Sequence, residues 1–204
     1  IGLRNLDIAL GLDDRAVMDF TDVMELRCPL LTAATEHPRI HGLYLLTAPL
    51  VLPEPDIQSF RQLMAEAREY FDYIFMDSPA GLGDGFQLAM AAADRVIVVS
   101  ATDPAALRDA QRTVAELLPQ VSEIHLVMNR VQPKLIRKLR TSIDEAMDTA
   151  GLPLLGIVPE DKQVMLAAGQ GLPLVLYAHK DAARAYLNIA KRLMGAKVPL
   201  LRIH

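Results

Sequence analysis

Tyr73-Ile74-Phe75-Met76-Asp77-Ser78-Pro79-Ala80-Gly81 runs from an apolar stretch into an acid, then into a loop of Ser, Pro and Gly. Aromatic and β-branched residues in a short apolar run are a strand signal. In an open α/β sheet, ligands bind beyond the carboxyl ends of the strands, which is where Asp77 stands. An Asp there can hold a Mg2+-bound water beside the phosphates of a nucleotide. Gly81, Gly83 and Gly85 free the following loop to change shape with the phosphate it senses. The same Asp also reads as a strand-ending residue that caps a turn.

Working outward, short apolar runs alternate with longer amphipathic ones. Strands are expected at Leu43 to Thr47, Tyr73 to Met76, Arg95 to Ser100, Ile124 to Met128 and Leu154 to Val158. Several are continuously apolar, as interior strands of a parallel sheet are. Helical spacing joins Ile57, Phe60, Met64, Ala67 and Phe71, and again Leu107, Ala110, Val114 and Leu117. A third stripe is Ala182, Tyr186, Ile189 and Leu193, with Lys180, Arg184, Asn188 and Lys191 opposite. Shorter helices are expected near Gly85 to Ala93, Thr141 to Ala150 and Lys162 to Ala168. The pattern predicts an α/β fold with a mostly parallel sheet, residues 1–204 forming a single domain.

Two further strings end predicted strands. Asn129 follows Val127-Met128, and Pro159-Glu160-Asp161 follows Ile157-Val158. An Asn amide and an Asp carboxylate beyond neighbouring strand ends can read the donors and acceptors of an adenine edge. Each string has a plainer reading too: a turn-forming Asn, and an N-terminal helix cap. The opening Ile1 to Leu12 reads as a loop running into a short helix, with polar Arg4, Asn5 and Asp7 among apolar residues.

Composition narrows the class. The net charge is −4 and the mean hydropathy +0.21. The acidic balance argues against a nucleic-acid partner, which needs a basic surface. The one cysteine, Cys28, excludes an intrachain disulfide and suits a reduced compartment. No apolar run approaches the ~20 residues of a membrane-spanning helix.

Taken together, these strings resemble the MinD family, the septum-site ATPases of the ParA/MinD class with a deviant Walker-A loop. The resemblance runs from the Gly2-Leu3-Arg4-Asn5-Leu6-Asp7 opening, through Leu43 to Pro49, Asp77 to Gly81, Asn129 and Pro159 to Asp161, to the helix Arg184 to Gly195. It implies a three-layer P-loop NTPase-type fold and an ATPase that forms a homodimer around two ATP molecules with Mg2+. It implies a cytoplasmic protein, peripheral at the inner face of the cell membrane. There it recruits a MinC-type division inhibitor and is released by a MinE-type or topological activator. Carried over by position, Asp77 matches the Walker-B acid, holding Mg2+ through water, and Ser78, Pro79 and Gly81 fall in the second switch. Arg4, Asn5 and Asp7 match the first switch region. Asn129, Pro159 and Asp161 match the adenine contacts. Arg108 and Asp109 lie on the helix that resembles the family's partner-binding surface, and also read as a solvated charged face.

Two departures qualify the resemblance. It places the Walker-A loop, and the acid of the first switch, upstream of Ile1, and no G-x-x-x-x-G-K-[ST] string occurs in the sequence. The expectation is a chain missing the N-terminal strand–P-loop–helix–strand segment, with no catalytic residue of its own and no ATP hydrolysis by itself. The family also ends in a basic amphipathic helix that binds the membrane surface. Residues 197–204 are too short and poorly periodic for that, so membrane contact is expected only through a helix absent here. Alternatives are a flagellar-number regulator or a chromosome-partitioning ATPase of the same class, and a non-hydrolysing module that binds partners through the Arg108 helix. The Gly2 to Asp7 opening favours MinD or the flagellar type over a partitioning ATPase. An iron protein of the nitrogenase type needs more cluster-ligating cysteines than Cys28 alone.

Overall fold

The computed structural model describes residues 5–51, 54–135 and 143–201. The chain divides into two compact units, Ile1–Ala93 with Ala168–Leu172, and Asp94–Ala167 with Pro173–His204.

In the first unit, α1 (Leu6–Leu10), α2 (Phe20–Met24) and α3 (Leu30–Ala33) precede a two-stranded antiparallel ribbon of β1 (Thr35–Glu36) and β2 (Tyr44–Leu45). α4 (Ile57–Tyr70) and α5 (Asp84–Ala92) follow. The middle of the predicted stripe is the core face of α4: Phe60, Met64 and Ala67, joined by Leu63, are buried against Phe20, Val23, Leu30, Ala33 and Leu88, while Ile57 is exposed and Phe71 lies just past the helix. Phe20 meets Phe60 edge to face, ring centroids 5.6 Å apart. Cys28 packs against this cluster as a half-buried free thiol. Arg61 Nε and Arg68 Nη2 donate to the carbonyls of Ala91 and Ala92, each at 2.9 Å, and tie α4 to the end of α5.

The second unit carries a three-stranded parallel sheet in the order β3 (Arg95–Ser100), β4 (Glu123–Val131), β5 (Leu154–Pro159). α6 (Pro104–Leu117) follows β3, and α7 (Ile143–Ala150) precedes β5. α8 (Lys162–Ala168), α9 (Leu174–Tyr177) and α10 (Asp181–Leu193) come after. α6 starts where the sequence tells it to: Asp103 Oδ1 accepts the Ala106 N–H at 3.0 Å, and Pro104 occupies the first turn. Ala110, Val114 and Leu117 are its buried face. α10 covers β4 and β5, with Ala182, Ala185 and Ile189 packed on Val127, Leu155 and Val158. Its buried face is smaller-sided than the predicted stripe: Ala183 and Ala185 are buried, while Tyr186 stands at the rim, 37% exposed.

Two predicted strands come out differently. Leu43 to Thr47 yields only the short β2, which pairs antiparallel, and an isolated parallel bridge from Thr47 to Asp19. Tyr73 to Met76 is no strand: among the described residues it joins no ladder, and Phe75 is 74% exposed. Apolar composition favours the extended backbone, but a strand also needs an edge to pair with. α2, α3, β1 and α9 were not predicted. They are too short to show a period.

Gly156 of β5 lies under α10. A Cβ there would come 2.3 Å from Ile189 Cγ1, a branched side chain with little room to yield. Gly156→Ala should therefore overpack this layer and cost about 1–3 kcal/mol in urea unfolding. Combined with Ile189→Ala, it should cost less than the two changes summed.

α2 opens with a reciprocal cap. Thr21 N–H donates to Asp19 Oδ1, and Asp19 N–H to Asp22 Oδ2, both at 2.8 Å. The Asp19 N–H, then the Arg27 guanidinium, hold the Asp22 carboxyl below its ordinary range. The unfolded chain therefore binds this proton at higher pH than the folded one. The contribution is complete above about pH 4 and is lost as pH falls through the lowered folded value. Thermal melts from neutral to acid pH should fall more steeply below that point for the native chain than for Asp22→Asn.

Candidate functional site

The acid-ended segment leads into α5 through a loop held at its far end. Asp77 is exposed at the end of the extended stretch, and Ser78 Oγ donates to the Pro79 carbonyl at 3.3 Å. Gly81 has φ +92°, a region open to glycine, and no other atoms crowd it. Gly83 is the N-cap residue of α5, whose Phe86, Leu88 and Met90 are buried. The loop thus joins an exposed acid to an anchored helix.

Of the opening residues, Arg4 lies outside the described residues. Asn5 is exposed at the N-cap position of α1, its carbonyl accepting the Ala9 N–H at 3.1 Å. Asp7 is buried, 7% exposed, and its Oδ1 accepts the Ile8 N–H at 2.9 Å. The α1 cap residue Gly11 presses on Gly171: a Cβ on Gly11 would meet the Gly171 carbonyl at 2.6 Å. That backbone contact escaped the sequence reading.

Asn129, Pro159 and Asp161 lie at the carboxyl ends of the adjacent strands β4 and β5. The geometry there is irregular. Met128 pairs with Ile157 and Val131 with Pro159, so Asn129 and Arg130 together oppose Val158 alone. This is a β-bulge, a device that re-aims side chains. Arg130 takes the left-handed φ of +52°, and its N–H donates to Asn129 Oδ1 at 2.9 Å. The Asn129 amide N–H groups remain as donors. Asp161 caps α8, its Oδ1 accepting the Gln163 N–H at 2.9 Å. Among the described residues its second carboxylate oxygen has no hydrogen-bond partner. The cap reading is realised at Asp161, whereas Asn129 stands inside β4 at its bulge and not in a turn; among the described residues this donor and this acceptor are left over.

Glu160, between Pro159 and Asp161, was missed. Its N–H donates to the Val131 carbonyl at 3.0 Å. Its carboxylate meets Arg130 Nη2 at 3.2 Å and also Gln132 Nε2. The signal available was the period-two spacing of Arg130 and Gln132 opposite an acid.

Arg108 and Asp109 project from the exposed side of α6, opposite Ala110, Val114 and Leu117. No group of three or more His, Cys, Asp or Glu among the described residues forms a cation cage. Mg2+ at a nucleotide does not require one, since it keeps several waters and uses one or two carboxylates with the phosphates. Asp77, an exposed carboxylate, has the chemistry such an outer position needs.

No protein-family model matches the chain. It is 37% identical over 207 residues to the septum site-determining protein MinD of Bacillus subtilis, covering 98% of this chain and 77% of that protein. The chain belongs to the MinD family. Members are septum site-determining proteins of cell division. Among solved structures, MinD in the MinC:MinD complex of Aquifex aeolicus superposes with a TM-score of 0.90 at 33% identity, over 99% of this chain and 83% of that one. The MinD of Pyrococcus horikoshii, solved with Mg-ADP, gives a TM-score of 0.81 at 24% identity over 97% and 83%, a likeness of fold. The MinD-family, P-loop NTPase-type α/β fold expected from sequence is therefore this chain's fold. No helix among the described residues is long and apolar enough to cross a membrane.

Asp161→Ala should lower the unfolding free energy by about 1 kcal/mol through loss of the α8 cap, whereas Asp161→Asn should preserve stability, Asn being an equal cap. Urea titration of the two variants separates the capping role from any role toward a ligand.

Proposed function

We propose that this chain is the body of a MinD-type ATPase that places the division septum by ATP-dependent homodimerisation and recruitment of a MinC-type inhibitor. The observation that carries the nucleotide reading is the convergence of Asn129, Pro159 and Asp161 at two adjacent strand ends, with a donor and an acceptor to spare. Adenine would lie on Pro159 and be read by the Asn129 amide and the Asp161 carboxylate. Asp77 would hold a water of the Mg2+ ion, which supplies charge neutralisation at the phosphates. Ser78, Pro79 and Gly81 would respond to the presence of the terminal phosphate, and Arg4, Asn5 and Asp7 would form the first switch region. In this reading residues 1–204 act as one nucleotide-switch domain.

Arg108 and Asp109 on α6 would face the inhibitor, and a MinE-type or topological activator would reverse the assembly. The protein would work in the cytoplasm, peripheral at the inner face of the membrane. Within residues 1–204 no phosphate loop string occurs. Phosphoryl transfer depends on positioning and charge stabilisation at the phosphates. Residues 1–204 alone would therefore supply the adenine side and the Mg2+ side, and no turnover.

Mg2+-dependent binding of a fluorescent ATP analogue tests this. Residues 1–204 would be compared with the same residues preceded by the strand and phosphate loop of the Bacillus subtilis relative. Only the extended chain should bind tightly, and Asp77→Asn should weaken its Mg2+-dependent binding roughly tenfold, as loss of an outer-sphere partner does. Measurable Mg-ATP turnover by residues 1–204 alone would overturn the assignment of the phosphate site.

A further inference from the structure

Pro159 has no N–H to give to β4. The last backbone link between β4 and β5 therefore passes to Glu160, whose N–H donates to the Val131 carbonyl at 3.0 Å. The Glu160 carboxylate is then gripped from both sides of Val131. Arg130 Nη2 stands 3.2 Å from Oε1, and Gln132 Nε2 meets Oε2. Two of the three clamp residues adjoin a candidate base-reading residue: Arg130 follows Asn129, and Glu160 precedes Asp161.

The Arg130–Glu160 pair is exposed, with side chains 75% and 38% accessible, so it adds little to stability. Arg130 nonetheless keeps a left-handed backbone that L side chains rarely adopt. Strain of this kind persists where the surroundings hold it and is concentrated at functional sites. A pair that stabilises little and is built on a strained bulge has geometry as its main consequence.

We infer that Arg130, Gln132 and Glu160 are positioning residues that set the spacing between Asn129 and Asp161 and so the preference for adenine over guanine. This rests on the nucleotide reading proposed above. Adenine presents an N6 amino donor where guanine presents the O6 acceptor, and both carry the N7 acceptor. A carboxylate accepts from the first and repels the second, while an amide N–H serves N7 of either. Discrimination therefore depends on Asp161 reaching the N6 position while Asn129 is engaged. Contacts of this kind tolerate errors of about 0.5 Å. The clamp joins the two strand ends on which they stand.

The test is calorimetric titration of Mg-ATP and Mg-GTP into the extended chain described above, as native sequence and as Arg130→Ala, Gln132→Ala, Glu160→Gln and Arg130→Lys. Arg130→Ala and Glu160→Gln should each reduce the ATP-over-GTP preference roughly tenfold, with the unfolding midpoint unchanged. Arg130→Lys should restore part of that preference. A preference unaltered in every clamp variant, while Asn129→Ala still weakens Mg-ATP binding, overturns the clamp and leaves the nucleotide reading standing. Loss of preference that tracks a fall in the unfolding midpoint also overturns it. Absence of Mg-ATP binding by the native sequence, or indifference to both Asn129→Ala and Asp161→Asn, sinks the nucleotide reading, and the clamp with it.

Discussion

Parallel pairing holds β4 along both edges, to β3 from Arg95↔Glu123 to Ser100↔Met128 and to β5 from Leu126↔Leu154 onward. A strand fixed on two sides cannot slide without breaking both ladders and turning its side chains to the wrong face. The burial of Ile124, Leu126, Val127 and Met128 reinforces this register, since a slip would exchange faces already packed. The carboxyl end of β4 is consequently a fixed point. The strand ends that could read a ligand are defined relative to it.

Against that regularity, the departure between Met128 and Val131 is local. The ladder to β5 shifts register between Leu126 and Val127 and again between Met128 and Val131, where the extra residue stands at the rim. At the rim it costs a strained φ at Arg130, of order 1–2 kcal/mol, and changes where Asn129 points. The Arg130 N–H then binds Asn129 Oδ1, which fixes that side chain without a partner from outside the strand.

The sequence was most readable where one segment carries its own evidence. β3, β4 and β5 are apolar for most of their length, and α4, α6 and α10 repeat their buried residues at helical spacing, so each was recognisable alone. The first unit was less legible. β1 and β2 span two residues each, and α2 and α3 barely exceed one turn, too little for any period to emerge. Tyr73 to Met76 shows the opposite failure: composition spoke clearly, but pairing belongs to two segments and is not written in one. The site divides the same way. Asn129, Pro159 and Asp161 could be singled out as candidates because each ends or follows a predicted strand. The Arg130, Gln132 and Glu160 contacts were not, because they depend on a register shift between strands far apart in sequence.

Magnitudes indicate what such a platform is for. A hydrogen bond from a neutral amide contributes about 0.5–1.5 kcal/mol net, and one to a charged group about 1.5–3 kcal/mol. Two such contacts, set against the 4–15 kcal/mol lost to association entropy, cannot hold a nucleotide tightly. Affinity in this fold must come chiefly from the phosphates and their cation, where charge is concentrated. The proposed base-reading end would then act on choice rather than strength, because an acceptor facing the wrong purine loses its bond and gains a repulsion. A site of that kind gains more from rigidity than from additional contacts. The capped α8, the bulged strand end and the doubly held Glu160 carboxylate all supply rigidity at the two strand ends.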